Sequence, residues 1–337
     1  MISTEFHKGL PVEYESFLIE RYNSFITTCH YIKLYHPNLE INYMLVHANG
    51  ILIDLLVFGN SKNTTTCFNS LTNLGQDIID EFIKNIYIKF PSIQKIKIIA
   101  SYKSYTLDKS VLYFRSDDHI LNLPATIDEF YMELGAKTRK HIKARSARLS
   151  KEFSTVNFVV KFKTEIDENV VCKIIQLNRE RMQHKGKKSG IDDAYKNNIY
   201  KFSQHYGCVA YLELDGTIVA GCISTILNKE TFLHLIAHDN NFSKYNVGEV
   251  CAFNFIQTSI EKGFSTVHFL WGKSELKRRF LAKPSLLFSY IVFRKYSLAY
   301  AICKIKVALL NVLVYLKQNK ISVIKGIQNI LHRKGAQ

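Results

Sequence analysis

Phe232-Leu-His-Leu-Ile-Ala-His238, followed by Asp239-Asn-Asn-Phe-Ser-Lys-Tyr245-Asn246-Val247-Gly248 and then by Glu249-Val-Cys-Ala-Phe-Asn-Phe-Ile256, decides how this chain folds. The first run reads as a strand, the second as a loop, and a helix begins at once at Gly248 and runs to Lys262, with Gly263 as its stop. The first turn of such a helix leaves backbone N–H groups without intrahelical acceptors, and they point at whatever lies in front of it. A glycine there lets the backbone approach a phosphate oxygen closely, so Tyr245–Gly248 reads as an anion-binding loop.

The flanking sequence completes an α/β unit. Downstream, Val267–Leu270 is a short strand. Upstream, Cys208–Leu214, Thr217–Leu227 and Phe232–His238 alternate apolar and polar residues around turns at Asp215-Gly216 and Asn228-Lys229-Glu230, a three-stranded meander. Before it lie a strand, Thr155–Lys163, and a helix, Glu168–His184, with Val171, Ile174, Ile175 and Leu177 on one face. The order is strand, helix, three strands, helix, strand. Residues 1–122 read as a second, less marked α/β unit: a helix near Glu13–Ile26, a hairpin turning at Asn49-Gly50, a helix over Asp77–Lys89 and a strand over Ile93–Ala100. Residues 123–153 connect the two through a helix that Thr126 caps, with Glu129 completing a capping box.

Charge is unevenly placed. The chain has 337 residues and a formal net charge of +16. Residues 276–337 hold 13 Lys/Arg and no acid, and residues 137–151 hold seven and no acid. The remainder is nearly neutral, which excludes a generally polybasic nucleic-acid binder. After Pro284 the sequence becomes almost wholly apolar and basic, and its longest uncharged run is ten residues, too short to span a bilayer. Residues 284–337 therefore read as a basic amphipathic helical tail lying on an anionic membrane surface or packing on the protein. No secretory leader is visible at the N-terminus, and seven scattered cysteines without a CxxC pair suit a reducing cytoplasm better than a zinc site or a disulfide framework. Gly272-Lys273-Ser274 lacks the upstream glycine of a nucleotide-triphosphate loop, and no GxGxxG turn is present.

Five segments, in order, resemble the GNAT-type acyltransferase domain of the CelD-like and FemAB-like branch. They are Leu134-Gly-Ala-Lys137-Thr138-Arg139-Lys140-His-Ile-Lys-Ala-Arg145, Leu177-Asn-Arg179-Glu-Arg181, Tyr211–Gly221, Tyr245–Gly248, and Trp271-Gly272-Lys-Ser-Glu-Leu-Lys277-Arg278-Arg279-Phe280. The resemblance implies a tandem GNAT-like α/β fold with mixed sheets and flanking helices, its catalytic half over 154–283. It also implies acyl transfer from acetyl-CoA or another acyl-CoA to an amine, without a metal. The acceptor it points to is an amino sugar, free or lipid-linked, in surface polysaccharide biosynthesis. A FemAB-like aminoacyltransferase using aminoacyl-tRNA is the neighbouring alternative, and a non-catalytic membrane-binding module of the same shape is the third. Either enzyme would work in the cytoplasm, with peripheral contact to the inner membrane surface through 284–337.

Mapped onto this sequence, the resemblance implies that strands Phe232–His238 and Val267–Leu270 splay around the thioester, with Tyr245, Asn246, Val247 and Gly248 on the pyrophosphate. Strict alternation along Phe232–His238 puts His234 and His238 on one face. His238, at the strand end, is the first candidate for general base, with Asp239 and Glu213 behind it. Arg139, Lys277 and Arg278 are candidates for holding an anionic part of the substrate. His268 stands where relatives often carry Asp. Trp271, the only tryptophan, reads as core or pocket wall.

Overall fold

The structure is a computed structural model, and it describes residues 2–272, 274–294 and 300–309. The elements are, in order, β1 (Ile2–Lys8), α1 (Glu15–Tyr22), α2 (Cys29–Tyr35), β2 (Glu40–Ala48), β3 (Ile51–Ser61), β4 (Thr64–Cys67), α3 (Gln76–Lys89), β5 (Lys95–Ser101), β6 (Ser110–Asn122), α4 (Ile127–Glu133), α5 (Ala136–Glu152), β7 (Val156–Phe162), α6 (Glu168–His184), α7 (Asp193–Tyr206), β8 (Gly207–Leu214), β9 (Thr217–Leu227), β10 (Glu230–His238), α8 (Val247–Glu261), β11 (Thr266–His268), α9 (Glu275–Arg279) and β12 (Lys283–Phe293).

The twelve strands among the described residues join one sheet in the order β1-β2-β3-β4-β5-β12-β6-β11-β10-β9-β8-β7. Two neighbouring pairs are parallel, β4 with β5 and β10 with β11, and the rest are antiparallel. One parallel pair in each half is what a tandem repeat of a single α/β unit produces. The expected tail does not begin at residue 284. Residues 283–293 form β12, a central strand paired with β5 on one side and β6 on the other. Its run of Leu, Phe, Tyr, Ile and Val is that of a strand buried on both faces, which shows no alternation to set it apart from a helix. Residues 300–309 are helical, and residues 310–337 lie outside the described residues.

Local chemistry accounts for the second half. The β8–β9 turn places Asp215 at φ 47° and Gly216 at φ 78°, two successive left-handed residues that bring the strands back on themselves. α6 starts on Asp167, whose carboxylate accepts from the Asn169 N–H, and buries Val171, Ile174, Ile175 and Leu177 as its spacing predicts. α8 is buried along almost its whole length and packs on the other face of the sheet, against Ala210, Leu212, Leu233 and Phe280. Thr126 caps α4 by accepting from the Glu129 N–H, and the Glu129 side chain accepts from the Ala125 N–H. The connector is two helices, α4 and α5, broken at Leu134-Gly135.

Candidate functional site

β10 and β11 are in parallel register over three pairs only, ending at Phe232 with His268. Beyond that point each follows a different neighbour. β10 stays with β9 as far as His238 opposite Ala220. The chain after β11 stays with β6: the Phe269 N–H donates to the His119 carbonyl, and the His119 N–H donates to the Leu270 carbonyl. A gap opens between residues 233–238 and 269–271, and the backbone groups of β10 that face it have no strand to pair with.

Two cavities meet at this gap. The first, about 500 Å³, is bounded by β10, the α8 N-terminus, Arg181 and Trp271, and the second, about 340 Å³, has aromatic walls from Phe25, Tyr31, Tyr35, Tyr195 and Phe202. His234, Leu235, Phe269 and Trp271 line both. Trp271 is 49% exposed, so it is a wall between the two rather than core.

The first cleft has the character of an anion site. Asn246 adopts φ 53°, a conformation asparagine tolerates, and its carbonyl accepts from the Glu249 and Val250 N–H groups. Among the described residues, the N–H groups of Val247 and Gly248 have no acceptor. A side chain at Gly248 would place its Cβ 2.8 Å from His238 Nδ1, so only glycine leaves this helix end open beside the imidazole. Arg181 lines the same cleft. One of its guanidinium nitrogens donates to Asn178 Oδ1, its buried Nε has no partner, and burial without a carboxylate pushes the group below its ordinary value. A half-buried guanidinium without a counter-charge beside an open helix N-terminus favours a phosphate. The sequence alone does not mark Arg181 as a site residue, because its lack of a partner depends on residues far away in the chain.

His238 lines this first cleft, and burial, with Arg181 and Lys185 nearby, lowers its imidazole. The other proposed bases lie elsewhere: Asp239 caps the following turn by accepting from the Asn241 N–H, and Glu213 sits on β8, two strands from the gap. Tyr245 is buried away from the cleft, its hydroxyl donating to Glu152 at 2.5 Å beneath the Arg148 guanidinium, so it fixes the loop to α5. The Val247 side chain is core, which leaves only its backbone to the cleft.

Lys277 lines the cleft but its ammonium is fully occupied: Nζ donates to the carbonyls of Phe269, Leu270 and Trp271, each at 2.9 Å. Burial pushes it down to about 8. It holds the wall of the gap, where Leu270 has φ 53°, and offers no donor to a ligand. Arg139 turns back to the Met132 and Leu134 carbonyls, closing the end of α4, and Arg278 is exposed and paired with Glu275. Arg279 instead makes two 2.7 Å bonds to Glu249, which also pairs with Arg145, so one buried carboxylate ties α5, α8 and α9 together.

His234 and His238 do not share a face. The β9–β10 register shifts between Leu233 and Leu235, so His234 is the extra residue of a bulge. Residues 234 and 235 fall on the same side, and the alternation changes phase. His238 lies against Gly248 on the α8 side, while His234 faces the aromatic cleft, its Nε2 2.6 Å from Thr225 Oγ1 and its ring edge-on to Phe25. Beyond the closed end of the gap, His268 is held by Asp118 through Nδ1 at 2.6 Å and by Glu230 through Nε2 at 3.0 Å, and Tyr102 donates to the same Asp118 oxygen. Burial alone would lower this imidazole, but the two carboxylates outweigh it and raise it to about 9. Its position is structural, beside Phe232 rather than at the opening.

Residues 136–278 match the family model described as "Acetyltransferase (GNAT) domain". A comparison with curated protein sequences returned no match. Among solved structures, the fold is similar to FemX (TM-score 0.62, 10% identity, covering 86% of this chain and 97% of that one). It is also similar to a conserved protein of unknown function from Bacteroides thetaiotaomicron VPI-5482 (TM-score 0.55, 12% identity, 88% and 100%) and to L-PGS from Bacillus licheniformis (TM-score 0.54, 13% identity, 91% and 98%). Over residues 136–278 this chain is thus similar to a GNAT acetyltransferase domain, and its whole-chain fold is similar to those of FemX and L-PGS.

Proposed function

We propose that the protein transfers an acyl group, an acetyl in the first instance, from acyl-CoA to the amine of an amino sugar bound for a surface polysaccharide. The observation that carries this reading is the meeting of two different clefts at one gap in the sheet. On the first side, the Val247 and Gly248 N–H groups and Arg181 would take the diphosphate of CoA, and the thioester would lie along the unpaired edge of β10. Backbone N–H groups fixed along that edge are suited to an oxygen that gains negative charge during attack. On the second side, the faces of Tyr31, Tyr35 and Phe202 suit the C–H face of a sugar ring that presents its amine to the gap. A thermal-shift titration tests this: acetyl-CoA at about 100 times its Kd adds ~2.7 kcal/mol to stability. No shift with acetyl-CoA or free CoA would remove it.

A second reading, aminoacyl transfer from tRNA, is favoured by the whole-chain fit to FemX and by the exposed Lys137, Lys140, Lys143 and Lys151 along α5. A shift with aminoacyl-tRNA and none with CoA would select it. Peripheral membrane contact is part of either reading. None of the described helices is long and apolar enough to cross a membrane. Residues 300–309 expose Ile302, Ile305 and Leu309 at the spacing of one helix face, beside Lys304 and Lys306, as an interfacial helix on anionic lipid does.

A further inference from the structure

We propose that His234 is the residue that takes the proton from the attacking amine, an inference that rests on the acyl-transfer reading above. Four residues line both clefts, and His234 is the one among them that can exchange a proton. The remaining titratable groups of the two cavities are spoken for. Glu249 is held by Arg145 and Arg279, and Lys277 by three carbonyls. An arginine such as Arg181 does not give up its proton in a protein. In the second cleft, burial raises Tyr31, Tyr35 and Tyr195, so these phenols keep their protons at neutral pH. His238 lies on the other face of the sheet, against the helix end where the phosphate would sit.

The bulge separates the two histidines. An uninterrupted β10 would put positions 234 and 238 on one side; with the extra residue, His234 stays with Phe232 against Phe25 on the aromatic side and His238 passes to the α8 side. Thr225, buried on β9, sits 2.6 Å from Nε2. With Nε2–H donated to the Thr225 hydroxyl oxygen, Nδ1 keeps its lone pair, and the same oxygen steadies the imidazolium once it forms. His234 is exposed into the cavities it borders, with Phe25 edge-on at 4.6 Å, and the protein on its other sides lowers the imidazole from its ordinary value. It is therefore neutral and able to accept at physiological pH.

The amine lone pair attacks the thioester carbonyl carbon, and a C–N bond forms. The C–S bond then breaks, its electron pair leaving on sulfur. One hydrogen of the positively charged nitrogen passes to Nδ1 of His234 and from there to the departing thiolate. The products are an amide and a free thiol, and the imidazole ends neutral.

Two measurements on the full chain test this. In the first, histidine-labelled protein is titrated with acetyl-CoA and the imidazole resonances are followed. Movement of both the His234 and His238 signals supports the assignment. Movement of His238 alone overturns it while leaving the acyl-transfer reading intact, and movement of neither overturns both. In the second, thiol release from acetyl-CoA with saturating glucosamine is compared between wild type, His234→Gln and His238→Gln. His234→Gln is expected to lose about 10²–10⁴-fold in kcat with KM for acetyl-CoA within a few-fold of wild type. Retention of kcat within threefold by His234→Gln overturns the assignment, as does an equal loss in His238→Gln. No thiol release by the wild type overturns the acyl-transfer reading and the assignment with it.

Discussion

At position 248 hydrogen is the largest side chain the site accepts, because a Cβ would press on the His238 ring at 2.8 to 3.2 Å. Gly248→Ala should leave the fold intact, since the ring can swing aside, but it displaces the wall of the proposed phosphate site. A misplacement of about 1 Å in such a site costs up to about 10²-fold, and KM for acetyl-CoA should rise 10-fold or more at nearly constant melting temperature. An unchanged KM in steady-state kinetics would show that the helix end is not where CoA docks. Gly248 and His238 were legible in the sequence because their significance follows from a local pattern, strand end to loop to helix start. Lys277, Arg139 and Tyr245 were legible as polar residues in a motif but not as to partner. Each is consumed by a bond, to three carbonyls, two carbonyls and Glu152 respectively, that only the folded chain supplies.

Among elements, the cleft depends on how α5, α8 and α9 are fastened. Glu249 carries that junction, with Arg145 and Arg279 on either side. Glu249→Gln keeps the shape and removes the charge, leaving two partly buried guanidinium groups facing each other. Breaking a buried pair in this way costs about 3 kcal/mol, which a urea midpoint would register; a loss below about 0.5 kcal/mol would mean that the three helices are held by apolar packing alone. The meander, α6, α8 and α3 were readable because each has the right period and a turn or cap at its ends. Less was readable where one of these was lacking. α7 follows a Gly/Lys stretch that suggests only loop, although Asp192 does cap it by accepting from the Tyr195 N–H. β1 and β6 carry no such mark in the sequence, and the apolar, basic run of β12 reads as the start of a helical tail until its partners β5 and β6 are seen. The bulge at His234 left no mark in the sequence, since an extra residue in one strand is defined only by the partner it fails to meet.

For the molecule as a whole, the two halves are joined by polar contacts as well as by strand pairing. His268 on β11 connects Asp118 of β6 with Glu230 of β10, and Tyr102 from the first half closes on the same carboxylate. Because the folded imidazole titrates near 9, above the ordinary value of about 6.5, its contribution is complete below pH ~6.5 and is lost as the pH rises through 9. The shift corresponds to on the order of 3 kcal/mol. The stability difference between wild type and His268→Gln should therefore shrink between pH 6.5 and 9.5. Parallel stability curves across that range would show that this histidine is not charged in the fold. The sign of this contact was not legible, since His268 stood out in the sequence only as a departure from the Asp of relatives.

β12 has a consequence for how the polypeptide is made. Tyr290 pairs with Ile98 and Val292 with Ile96, partners translated nearly two hundred residues earlier. Until residue 293 has left the ribosome, β5 and β6 each present an unpaired edge toward the place the missing strand will fill. The nascent chain must carry those two edges through most of its synthesis, and a growing chain in that state is a natural client for a chaperone.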